Sequence, residues 1–226
     1  MNRSDIEQML GIKINNIDLY RTAFTHKSAL SKYNIENSFE TLEFMGDSIL
    51  GFIITKFLFD KYRDRHEGFL TKARTKLVRG ETLAKIGSRL GIEKWIIMDD
   101  KGMRNRWNYN PNVVEDVFES ILGAMYLDLG LLHTKKFILG IFTDPKYVDM
   151  NCIMVDDNYK DILMRYCQMS KYELPKYIVD YHTSNIFGIY VIVNGTSFEI
   201  ASAKNKKQAE QLAAKSTLQS LKVSIV

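Results

Sequence analysis

Apolar residues recur every three or four positions through most of the first 143 residues. Segments 23–30 (AFTHKSAL), 39–62, 70–92, 113–130 and 131–142 follow this period, with Gly or Asn near their ends, and each is predicted to be helical. Pro111, Pro145 and Pro175 all stand outside these runs. Residues 144–157 break the pattern with a proline and four aspartates and read as a linker. Beyond them the period changes. Residues 158–168 make one amphipathic helix, and 176–181, 187–195 and 196–203 alternate or carry strand-forming residues. An Ala-rich helix, 206–222, closes the chain. The fold class is an all-α N-terminal domain (1–143), a linker (144–157) and a small α+β domain (158–226). In that last domain the order α-β-β-β-α builds a three-stranded antiparallel sheet with both helices on one face.

Composition narrows the function. With 46% hydrophobic and 26% charged residues the chain is an ordinary globular protein, which excludes disorder. No apolar run of about 18 residues could span a membrane, and the N-terminus lacks the pattern of a secretory signal. Cys152 and Cys167 form no CxxC pair, and His26, His66, His133 and His182 are scattered, so neither a disulfide framework nor a zinc site is expected. The expectation is a reduced, cytoplasmic protein whose net charge of +4 permits a polyanionic partner.

The informative positions are carboxylates on helices that are otherwise apolar. On a helix spanning 39–54, Glu40, Glu43 and Asp47 lie within about 60° of one another. No Lys or Arg occurs between Lys32 and Lys56 to neutralise them. A second apolar helix carries Asp116 and Glu119 three residues apart. Buried acids must be paired, protonated or bound to a cation. If the two helices face each other, Glu43, Asp47, Asp116 and Glu119 make an all-oxygen set suited to magnesium or manganese and to phosphodiester hydrolysis. Acids near helix starts also act as caps or dipole partners, a role open to Glu40 and to Glu115.

These motifs resemble the ribonuclease III family. FETLEFMGDSILG (39–51) is similar to its signature helix, and the likeness continues at AFTHKS, at 70–84 and at EDVFESILGAMYLD (115–128). The tail with KNKKQAEQLAA resembles a double-stranded-RNA-binding domain. The resemblance implies that Glu43, Asp47, Asp116 and Glu119 bind metal, with Asp47 and Glu119 as the catalytic pair and Glu40 near the substrate and dimer contact. It implies magnesium as cofactor, with manganese as substitute, and hydrolysis of double-stranded RNA to 5′-phosphate and 3′-hydroxyl ends. It also implies a homodimer through the N-terminal domain, since one acid set serves one strand of a duplex. Phe44 and Met45 are interface candidates. The reading from a different class is a duplex-binding protein that sequesters RNA without cutting it.

Eight basic residues against three acids between Lys56 and Arg79 could flank an RNA site. In the tail, Lys204, Lys206 and Lys207 at the start of the last helix suit a phosphate clamp, and Gln168 matches a helix position that faces RNA in the family. Three departures from the family stand out. Its Gly-x-Gly is Ala201-Ser-Ala203, a common helix-one glutamate is Arg165, and the first strand-to-strand loop is shortened around His182.

Overall fold

The computed structural model describes residues 2–150, 158–183 and 185–223, which fall into two units. The first contains eight α-helices among the described residues: α1 (Arg3–Leu10), α2 (Ile17–Ala23), α3 (Ala29–Tyr33), α4 (Glu40–Lys61), α5 (Glu67–Val78), α6 (Gly80–Leu90), α7 (Asp100–Arg104) and α8 (Pro111–Thr143). Local chemistry sets many of their ends. Asn2 and Asp5 form a capping box on α1, and Asn16, Asp99 and Asn110 each accept a backbone N–H as the N-caps of α2, α7 and α8. Pro111 opens α8, where its missing N–H costs nothing.

Two predicted helices are divided in the structure. The helix expected over 23–30 does not form, because Ile97 donates its N–H to the Phe24 carbonyl and accepts from His26, pairing this stretch with a distant one. The helix expected over 70–92 breaks at Arg79, whose ψ of 147° is extended. The boundary between 113–130 and 131–142 survives as a kink in α8, at Gly130 with φ 77°. The core packs α4 (Leu50, Ile54, Leu58) against α8 (Phe118, Ile121, Leu122) with Tyr20, Phe24, Leu77, Leu83 and Ile86 around them.

Residues 144–150, the first half of the expected linker, pack on this unit. Val148 is 4% exposed within its core, and Arg89 donates to the Lys146 and Tyr147 carbonyls at 2.6 Å. Residues 151–157 lie outside the described residues.

The second unit has the order α9 (Tyr159–Met169), β1 (Lys176–Thr183), β2 (Ile186–Val193), β3 (Thr196–Ser197), β4 (Ala201–Ala203) and α10 (Lys206–Ser220). The sheet is antiparallel, with β2 between β1 on one side and β3 and β4 on the other, so the expected third strand is formed in two pieces. Ile189, Val191 and Val193 alternate inward from β2 onto Leu163 and Cys167 of α9 and Ala209, Ala213 and Leu218 of α10. Both helices therefore cover one sheet face. Small alanines let α10 lie close to the sheet.

Candidate active site

The carboxylates meet where α4 crosses α8. A Cβ built on Gly46 would overlap the Glu119 carbonyl oxygen, and one on Gly123 would overlap the Leu42 carbonyl oxygen. The helices therefore touch backbone to backbone at two reciprocal points. Gly46 directly precedes Asp47, and Gly123 lies one turn after Glu119. The close approach thus turns two local acid pairs into one group.

Burial grades the group. Glu119 is 8% exposed, Glu43, Glu115 and Asp116 are half-buried, and Asp47 is exposed. Burial, reinforced by the charges of Asp47, Glu115, Glu43 and Asp116, pushes the Glu119 carboxyl up to about 8. Burial, then Asp116, Glu40, Glu115 and Asp47, raises Glu43. Burial, then Glu40, raises Asp116, with Lys27 opposing. Glu115 is raised by burial and then by Asp116 and Asp47. None of these five acids makes an ion pair or side-chain hydrogen bond among the described residues. Glu40 differs: Lys27 Nζ and Ser38 Oγ each donate to it at 3.1 Å, which holds its carboxyl below the usual range.

The donor set fits a hard divalent cation by chemistry, being all carboxylate oxygen with no lysine or arginine ion-paired to it among the described residues. As arranged, no three acid, histidine or cysteine side chains among the described residues converge closely enough to share one ion. The acids are neighbours that feel one another's charge and stop short of a closed cage.

Glu115 was open to a capping role in the sequence. The structure gives that role to Asn110 and places Glu115 among the other acids, its carboxyl group against Gly80 of α6. The roles of Gly46, Gly123 and Gly80 were not read from the sequence. For Gly46 and Gly123 the available signal was a glycine one residue or one turn from an acid inside a helix, where glycine otherwise costs about 1 kcal/mol.

In the second unit, Lys204, Lys206 and Lys207 are exposed around the start of α10, whose N-cap Asn205 accepts from the Gln208 N–H. Gln168 is exposed on α9, and Arg165, in the place of the family's glutamate, pairs with Asp161 at 3.2 Å. β1 ends at Thr183 and β2 begins at Ile186, and near these ends His182 stacks on Phe187 with centroids 4.0 Å apart. On α4, Phe44 is 76% and Phe52 60% exposed, with Met45 and Phe59 also at the surface.

Comparison with known proteins places both units in described families. Residues 16–145 match the family described as ribonuclease-III-like, and residues 159–221 match the double-stranded RNA binding motif. The chain is 37% identical over 224 residues to putative protein A464R of Paramecium bursaria Chlorella virus 1, covering 98% of this chain and 80% of that protein. It is 33% identical over 231 residues to ribonuclease 3 of Legionella pneumophila (strain Corby), covering 98% of both. The nuclease domain of ribonuclease III from Campylobacter jejuni, whose structure is described for flexibility in a region involved in dimer formation, superposes with a TM-score of 0.57. That match has 32% identity and covers 62% of this chain and 94% of that one. With a nuclease-type helical unit, an RNA-binding α+β unit and full-length relatives of the same kind, the chain belongs to the ribonuclease III family of double-stranded-RNA endoribonucleases.

Proposed function

We propose that this ribonuclease III hydrolyses double-stranded RNA with divalent cations, magnesium or manganese, held by Glu43, Asp47, Asp116 and Glu119, and leaves 5′-phosphate and 3′-hydroxyl ends. The observation that carries the reading is the gathering of these acids, without cationic partners, at a glycine-made helix crossing. Asp47 and Glu119 are the catalytic pair: one reaches solvent and the other is buried beneath the cluster. When bound, the cation supplies charge neutralisation at the phosphate and acidifies water. The protein's part is to keep the carboxylates within reach of one another and out of ion pairs with lysine or arginine. Glu40, tied to Lys27, borders the site on the substrate and dimer side.

Lys204, Lys206 and Lys207 take duplex phosphates at the start of α10, with Gln168 on α9 as a further contact. The catalytic and RNA-binding parts are divided within 144–157. The active form is a homodimer through the helical unit, working in the cytoplasm, and Phe44 with its exposed neighbours on α4 forms the joining surface. No helix among the described residues is long and apolar enough to cross a membrane.

The deciding experiment incubates the purified chain with end-labelled long duplex RNA in magnesium, in manganese and in chelator. Cleavage in either metal and none in chelator is expected. Retention of the duplex on the protein with no cleavage in either metal overturns the metal-dependent reading and leaves a sequestering protein.

A further inference from the structure

Glu115 directly precedes Asp116 on α8 and is half-buried. It does not cap its own helix, because Asn110 does so by accepting from the Asn112 N–H. Its carboxyl group lies instead against the Cα of Gly80, the first residue of α6, where any Cβ would overlap it. Gly80 has no positive φ, so glycine here provides room and not an unusual backbone. Among the described residues no side chain pairs with Glu115. Its electrostatic neighbours are Asp116 and Asp47, and its own charge reaches Glu119 and Glu43.

Apart from the N-terminal end of α6, the charges around this half-buried carboxylate are all acidic, and their mutual repulsion opposes folding. A cation relieves that opposition. We propose that Glu115 is a fifth acidic member of the cation-binding group, seated by Gly80, and that it strengthens the binding of divalent ions. The proposal rests on the reading of Glu43, Asp47, Asp116 and Glu119 as the metal-binding set. The rival role is structural, a negative charge at the positive end of the α6 dipole. The two roles differ in what they move. Dipole support affects stability alone, whereas membership of the group affects the affinity for a bare metal ion without RNA.

The test is calorimetric titration of the full chain with manganese alone, for wild type, Glu115→Gln, Gly80→Ala and, as control, Asp18→Asn at an exposed pair with Arg21. Glu115→Gln is expected to weaken manganese binding at least about fivefold, the effect of one removed charge at a solvent-touched site. Gly80→Ala keeps the charge but displaces the flexible carboxyl group, and it should weaken binding by about threefold or more on the same Coulomb reasoning. Asp18→Asn should stay within about twofold of wild type, since exposed charges are screened. Glu115→Gln within twofold of wild type overturns the proposal and leaves the dipole role. If Glu115→Gln melts too early to titrate, Gly80→Ala decides alone, and unchanged affinity there overturns the proposal. Asp47→Asn and Glu119→Gln are titrated in parallel. If they too bind manganese as wild type does, the four-acid reading has failed and not merely the fifth member.

Discussion

Glu119 shows at the scale of one residue how folding works against a carboxylate. In the unfolded chain it titrates near 4.5, and in the fold burial and four neighbouring acids hold it near 8. The folded protein therefore binds the extra proton between those values. This group's stabilisation is fully present below about 4.5 and is lost as pH rises through about 8. In chelator, the melting temperature is expected to fall across that window, and Glu119→Gln should flatten the fall and melt higher at pH 8. A Glu119→Gln protein that melts lower at pH 8 would mark the carboxylate as structural. The same substitution should cut duplex cleavage by about a thousandfold or more while leaving duplex binding near wild type, because the proposed cation site fails and the lysines proposed to bind phosphate remain. Gel cleavage and filter binding read the two separately. Cleavage surviving within about tenfold would remove Glu119 from the catalytic pair.

Between elements, the α4–α8 crossing is as important as any side chain. The atoms facing Gly46 and Gly123 are backbone carbonyls, which cannot rotate away as a side chain could. Gly46→Ala must push the helices apart and is expected to cost about 3 kcal/mol in urea unfolding, at the upper end of overpacking effects. Gly51, on the same helix with nothing near its Cβ position, is the contrast. There alanine should be neutral or stabilise by up to about 1 kcal/mol, through helix propensity. Equal effects at the two positions would mean that the crossing is not close-packed. The outer side of α4 carries Phe44, Ser48, Phe52, Thr55 and Phe59 at spacings of four and three, one exposed stripe beside the acid face.

For the whole molecule, that stripe and the tail set the remaining expectations. Phe44→Glu combined with Phe52→Glu should turn a sedimenting dimer into a monomer at micromolar concentration and leave the helical content unchanged. A wild-type chain already monomeric under those conditions would refute the homodimer. In the second unit, Lys206→Ala with Lys207→Ala should weaken duplex binding about equally for all sequences, and should lower the salt slope by roughly one to two, as expected for lost phosphate contacts. An unchanged slope would place the phosphate contacts elsewhere.

Much of this was legible in the chain because it depends on neighbours in sequence. Apolar spacing and the Asn, Asp and Pro caps marked most helices, and the strand periods marked the α-β-β-β-α tail. The two acid pairs stood out as charges inside apolar helices. Other features depend on residues far apart. Thr25 and Ile97 interrupt an apparent helix through pairing across the chain. Phe198 and the β3 and β4 pieces share β2 as partner, so a single expected strand is divided by its pairing. The site itself is the clearest case. Sequence alone determined which residues carry negative charge and on which helices. Only the tertiary structure decided that Gly46 and Gly123 bring those helices into backbone contact, that Glu119 is buried, and that Glu115 joins the group against Gly80. The reason is physical: side-chain type is local, whereas burial and charge coupling depend on distances that close only when the chain folds.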